Sequence, residues 1–230
     1  MNKLRLNGNQ LKLFALITMT IDHIGMYLFP QYLFFRIIGR LSMPIFAYMI
    51  AEGCRYTHNR GKYLLLTAGV GFVCQVVYYV AMGSFYQCIL ITFSLSILLI
   101  YSFDLALTKH SLGGYLLAGF ALVSVFFVCK ILPELLPATD FYISYDFFGV
   151  LLPLFTYIGK DRKQRLLFTA LGQVLMNLDL GGIQWLCLLT LIPLWLYDGT
   201  RGKLKLKYLF YIYYPAHLAA LYGIGLLWKS

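Results

Sequence analysis

The chain has 230 residues, 60% of them hydrophobic and 12% charged, with a mean hydropathy of +0.74. A soluble domain carries about 25% charged residues, so this composition leaves too little polar material for a water-facing surface and excludes a soluble globular domain. The net charge of +10 lies in short clusters between apolar runs, which fits the positive-inside rule of membrane proteins and excludes the basic stripe of a nucleic-acid binder.

A bilayer core of about 30 Å takes roughly 20 apolar residues per helix. On that measure the sequence predicts spans at 11–29, 32–52, 63–82, 88–107, 112–132, 143–158, 164–178, 183–197 and 208–227. The fold class is all-α: a polytopic transmembrane bundle of about nine helices in a single domain, residues 1–230. The sixth to eighth spans are short, so one could be re-entrant and eight to ten helices are allowed. The first span contains Asp22-His23 and lacks a small-residue cleavage site, which reads as a retained signal-anchor. The five cysteines, Cys54, Cys74, Cys88, Cys129 and Cys187, form no CxxC pair. They are expected to be buried structural thiols rather than a disulfide framework or a zinc site.

With the N-terminus inside, the inner segments hold Lys3, Arg5, Lys12, Arg55, Arg60, Lys62, Lys109, Lys160, Arg162, Lys163, Arg165, Arg201, Lys203, Lys205 and Lys207. That is fifteen basic residues against two outside, Lys130 and Lys229. This asymmetry orients the chain N-in and C-out. The longest outer loop, around Lys130 to Ser144, carries Pro133, Glu134, Pro137 and Asp140, turn formers that suit a connection. No internal repeat is visible, and nine helices do not divide into inverted repeats, which disfavours a common transporter architecture.

Charge inside a bilayer costs about 2.5–3.5 kcal/mol per residue on insertion scales, so each such residue needs a reason. Asp22 and His23 fall two-thirds of the way along the first span, toward the outer side. Arg36 and Arg40 sit four apart on the second, hence on one face. Arg40 is too deep to snorkel; it can pair with Asp22 to hold the first two helices together and can also orient His23. Arg36, nearer the interface, is expected to be an interfacial anchor. His217, two residues after Pro215, reads either as an interhelical hydrogen-bonding contact or as part of a site. Asp104 is expected at the interface, and Asn177 and Asp179 are expected to cap a turn.

Adjacent helical residues point about 100° apart, so Asp22 can serve an arginine while His23 faces a pocket. Burial favours the neutral imidazole, which can accept a proton as a general base. Pro44 leaves a backbone carbonyl free and bends the second helix, while Gly39 and Ser42 allow close helix approach. Such a bend can open a cavity at the depth of Arg40.

The runs LKLFALITMTIDHIG, FFRIIGRLSMPIFAYMIAEGCRYTHNRGKYLLL and RGKLKLKYLFYIYYPAHLAAL resemble the TraX family, whose namesake N-acetylates pilin. The N-terminal third and the last thirty residues carry the resemblance most closely. The middle matches mainly in hydropathy and in DFFGVLLPL. The family's DH motif falls on Asp22 and His23, and its R-x-x-GR motif on Arg36, Gly39 and Arg40. Its P-x-F…EG motif falls on Pro44, Phe46, Glu52 and Gly53, and its YP-x-H motif on Tyr214, Pro215 and His217.

The resemblance implies a multi-pass acyltransferase in a bacterial cytoplasmic membrane. It would move an acetyl group from cytosolic acetyl-CoA to an amine or hydroxyl: a protein N-terminus such as pilin's, a glycan or a small molecule. On this view Asp22, His23, Arg40 and His217 are catalytic. Arg36, Glu52, Tyr214, Arg55, Arg60 and Arg201 bind substrate or the CoA phosphates, with Lys62, Arg162, Arg165 and Lys203 nearby. The basic residues are equally explained by topology. The partners are the lipid bilayer, acyl-CoA and an external or membrane-borne acceptor. Neither a metal nor nucleic acid is expected, since a thioester is already activated. Two other classes share the buried charges: a proton-coupled transporter or flippase, and a non-catalytic partner of a conjugation or secretion assembly.

Overall fold

A computed structural model describes residues 5–203 and 207–229. Lys3 and Lys205, counted among the inner charges, lie outside the described residues, as do the side chains of Lys207 and Lys229. Nine helices run through the described residues: α1 (Gly8–Tyr27), α2 (Leu33–Tyr56), α3 (Arg60–Met82), α4 (Ile89–Lys109), α5 (Leu112–Leu135), α6 (Asp146–Ile158), α7 (Arg162–Leu180), α8 (Gly182–Leu196) and α9 (Lys207–Lys229). Each covers one of the spans expected from hydropathy.

Four of them, α2 to α5, are long and apolar enough to cross a membrane. On α3 and α5, Leu65, Phe72, Val80, Leu116 and Phe120 are exposed. Such a surface suits hydrocarbon rather than water, and the chain is a membrane protein. Helix α6, with 13 residues, is only about 20 Å long at about 1.5 Å per residue.

The helices group into two compact units. One holds residues 1–49 and 181–230, hence α1, the first part of α2, α8 and α9. Helix α1 opens with a reciprocal cap: Gln10 N–H donates to Asn7 Oδ1 at 3.0 Å, and Asn7 N–H to Gln10 Oε1 at 2.9 Å. Further N–H groups at this end donate to the Thr200 and Arg201 carbonyls, so the segment before α9 satisfies donors that a helix start leaves open.

Glycine sets the approach of α1 to α2. A Cβ on Gly25 would collide with Phe35, and one on Gly39 would collide with the Asp22 side chain. Helix α2 is interrupted at Arg40 and Leu41, between the segments Leu33–Gly39 and Ser42–Tyr56. Pro44 has no N–H for the Arg40 carbonyl, and its ring crowds that carbonyl, so the break falls one turn upstream, as the sequence predicts. Ser42 Oγ donates to the Gly39 carbonyl at 2.9 Å. Helix α8 begins with nine residues of 3-10 helix, Gly182–Thr190, although such runs seldom exceed about four residues.

The second unit, residues 50–180, holds the end of α2, α3 to α7 and a parallel pair, β1 (Tyr86–Gln87) and β2 (Tyr142–Ile143). Its core centres on Ile97, Leu99, Ile100, Val150 and Leu154, all buried. Small polar side chains draw these helices together: Ser96 Oγ donates to the Val150 carbonyl at 2.7 Å, and Thr156 and Thr169 hydroxyls meet at 2.8 Å.

The expected outer loop starts later than predicted. Residues Leu132–Leu135 are still helical, and Phe127–Ile131 widens into a π-helical turn with Leu132 N–H bonding the Phe127 carbonyl. Pro133 offers no N–H to the Cys129 carbonyl, and the wider turn absorbs that clash without ending the helix. Asp179 does not cap a turn either; it lies inside α7, as does Asn177.

Candidate functional site

The first unit contains two histidines from opposite ends of the chain. His23 Nδ1 lies 2.7 Å from His217 Nε2, with the rings nearly parallel at 17°. His217 Nδ1 lies 2.8 Å from the Tyr213 carbonyl, one turn back on α9. A carbonyl can only accept, so His217 Nδ1 carries the proton and Nε2 the lone pair. His23 must then donate through Nδ1, which leaves its Nε2 as the lone-pair nitrogen. Among the described residues no protein group hydrogen-bonds that Nε2.

The surroundings hold this geometry. Tyr213 stacks on His217 with ring centroids 4.9 Å apart, and its hydroxyl donates to Thr20 Oγ1 at 2.7 Å. Thr20 in turn donates to the Leu16 carbonyl. Tyr214 and Tyr27 stand edge-on to His23, at 6.5 and 6.4 Å. Tyr213 was not singled out in the sequence, because a tyrosine in YIYYPAH reads as an interfacial aromatic.

Next to His23, Asp22 faces α2. Arg36 Nη1 lies 2.8 Å from Asp22 Oδ2, and Arg40 Nη2 lies 3.8 Å from Oδ1. Arg36, expected to anchor at the interface, therefore turns to the carboxylate and is its closer partner. Arg40 divides itself: its Nη1 also donates to Gln184 Oε1 at 3.2 Å. Gln184 sits in the 3-10 stretch of α8 and is 5% exposed. As a neutral amide it gave no charge signal in the sequence. The only hint was a glutamine inside the apolar run GGIQWLCLLTLIPLWL.

The other predicted residues go elsewhere. Glu52 pairs with Arg165 at 2.8 Å in the second unit. Arg55 donates to the carbonyls of Tyr157 and Gly159, at 2.6 and 3.1 Å. Arg60 pairs with Asp104, which also accepts from the Tyr157 hydroxyl at 2.8 Å. These bonds tie helix ends together within that unit. Arg201 is exposed, and its carbonyl accepts from Asn9 at the start of α1.

The second unit has a cluster that sequence reading dispersed. Lys130 Nζ lies 2.8 Å from Asp146 Oδ2 and 2.8 Å from Asp179 Oδ2, and the Tyr142 hydroxyl donates to the same Asp146 oxygen. Tyr145 and Asp146 both have positive φ, 62° and 55°, a conformation that side chains other than glycine seldom take. Lys130 stands in the π-helical turn of α5.

A family model described as TraX protein matches residues 7–225. An uncharacterized protein of Rickettsia prowazekii is 35% identical over 106 residues, which is 46% of this chain and 41% of that protein. The match thus spans about two-fifths of that relative's length. A Dichelobacter nodosus protein named "Probable fimbrial assembly protein FimC, serogroup H1" is 24% identical over 236 residues, covering 92% of this chain and 93% of that one. No solved structure matches.

Proposed function

The chain belongs to the TraX family, and from that premise we propose that it is a membrane-embedded acetyltransferase using acetyl-CoA as donor. One observation carries the proposal: the hydrogen-bond chain from the Tyr213 carbonyl through His217 to His23, which leaves a lone pair on His23 Nε2. A neutral, oriented imidazole with an open Nε2 is what a general base needs.

The reaction is direct transfer. A neutral amine or hydroxyl attacks the thioester carbonyl carbon while His23 Nε2 takes its proton, and the carbonyl π pair moves onto oxygen. His23 becomes an imidazolium that still donates from Nδ1 to His217. The oxyanion then collapses, the C–S bond breaks, and the CoA thiolate leaves with the proton that His23 returns. The products are an amide or ester and CoA thiol. Arg40 is the cation at the developing negative charge.

Arg201 and its neighbour Lys203 are exposed near the start of α1 and would receive the CoA phosphates. From Asn9 to His23, α1 extends about 21 Å at about 1.5 Å per residue. That length suits an extended pantetheine arm. With the N-in orientation of a multi-pass protein in a bacterial cytoplasmic membrane, the acceptor reaches His23 from the outer leaflet. The name of the fimbrial relative makes a pilin N-terminus the first acceptor to try.

The test adds labelled acetyl-CoA to the purified protein in membranes with candidate acceptors. A labelled acceptor from the wild-type protein, lost in His23→Ala, supports the proposal. Failure to bind CoA at millimolar concentration removes it and favours a transporter.

A further inference from the structure

The arginine that faces His23's neighbour has an unused direction, and so does its glutamine partner. Arginine carries only donors, so the Gln184 amide must present Oε1 to it, at 3.2 Å from Arg40 Nη1. This fixes the amide's orientation and turns its NH2 group away from Arg40. That Nε2 is buried, and among the described residues it has no hydrogen-bond partner; the same holds for Arg40 Nε. The Gln184 side chain belongs to a residue 95% buried by its 5% exposure. An amide donor left unpaired in an apolar setting is costly, so the arrangement calls for an acceptor that the described residues do not supply.

The charge of the group narrows what that acceptor is. Arg36 and Arg40 face one carboxylate, Asp22, so the cluster carries a net charge of +1. A CoA diphosphate, with several negative charges, would be poorly matched. One oxygen that gains a single negative charge is well matched. Two N–H donors from different helices, both buried and unpaired beside a single net positive charge, are the donor set that an oxyanion hole uses.

We infer that Gln184 Nε2 and Arg40 form the subsite that holds the acyl carbonyl oxygen of the thioester donor. This rests on the acetyltransferase reading above and adds a substrate-contacting residue to it. The 3-10 winding of Gly182–Thr190 belongs to the same device. With about 3.0 rather than 3.6 residues per turn, it shifts the direction in which Gln184 projects relative to an α-helix.

Gln184→Glu separates the two roles the residue can have. Glutamate keeps the shape and the acceptor for Arg40 but has no NH2 donor and cancels the cluster's net positive charge. It therefore removes both parts of the subsite, whereas a residue that merely steadies Arg40 would tolerate it. With the full-length protein in nanodiscs, Gln184→Glu and Gln184→Ala should each lower kcat by about 10²–10³-fold, the range for losing one oxyanion donor. KM for acetyl-CoA should rise by no more than about fivefold, the weight of one hydrogen bond in the ground state, because the contact strengthens mainly in the transition state. A Gln184→Glu protein within about twofold of wild type overturns the subsite while leaving the acetyltransferase intact. A wild-type protein that transfers no acetyl group overturns both.

Should Gln184→Glu not fold, the wild-type protein decides. Acetonyl-dethio-CoA keeps the carbonyl, whereas S-ethyl-CoA lacks it. The ketone should bind about fivefold more tightly, a step of about 1 kcal/mol that a single hydrogen bond supplies. Equal affinity for the two analogues overturns the inference.

Discussion

His23 Nδ1 and His217 Nε2 meet at 2.7 Å although 194 positions separate them in the chain. The carbonyl of Tyr213 sets the tautomer of the second ring, and through it the tautomer of the first. A backbone group on α9 thereby decides which nitrogen of a residue on α1 is basic.

The two histidines should not be equivalent. His23→Ala removes the base and should lower kcat by about 10²–10⁴-fold, the usual contribution of general-base catalysis. His217→Ala keeps the base but releases its tautomer and orientation, for a smaller loss of about 10–100-fold. Steady-state acetyl transfer measures both, and equal losses would point to a purely structural pair.

Gly39→Ala should disrupt the Asp22–Arg36 pair while leaving both residues unmutated. Its Cβ would collide with the Asp22 side chain, and overpacking of this kind costs about 1–3 kcal/mol. The unfolding temperature in detergent should fall and acetyl transfer should drop with it. Gly69→Ala, where a Cβ meets nothing within 4 Å, is the control expected to change neither.

Lys130 holds two carboxylates, and Lys130→Met would remove the cation that Asp146 and Asp179 share. Breaking a buried pair costs about 3–5 kcal/mol. The lysine side chain is 29% exposed, which screens part of the effect and brings the expectation to about 2–3 kcal/mol. Steric-trapping or denaturant unfolding in bicelles reads it. Adding Asp146→Asn should recover part of the loss, because only one carboxylate then remains charged.

The loop before β2 should respond to acid. The Ser84 hydroxyl and the Phe85 N–H both bond Asp140 and hold its carboxyl below the usual carboxylate range. The charged form is thus favoured in the folded state. Its stabilising contribution is present above the unfolded value of about 3.9 and is lost as pH falls through the lower folded value. The Phe85 amide resonance should follow that titration, and in Asp140→Asn it should stay constant.

Helix existence was legible residue by residue, because hydropathy is a local property and each span carries its own. Pro44 likewise announced the break in α2, since a missing N–H acts on the carbonyl four positions earlier. The ends were less legible: Lys130 and Asp179 were read as belonging to loops, because charge at the edge of an apolar run signals a boundary. In the fold these charges neutralise one another within the helices and so extend them. Gln184 stayed hidden for the opposite reason, having no charge to make burial look costly.

The sequence by itself determined that this chain is a membrane protein of about nine helices and that Asp22, His23, Arg36, Arg40 and His217 need a reason to be there. Composition and periodicity suffice for that, since the bilayer penalises each buried charge singly. Only the tertiary structure decided the partners: Arg36 as the closer mate of Asp22, His217 as the orienting group for His23, and Gln184 as the second hold on Arg40. Those pairings depend on the rotation and depth of each helix against its neighbours. Packing and hydrogen-bond direction set these, and they are not written in any single segment.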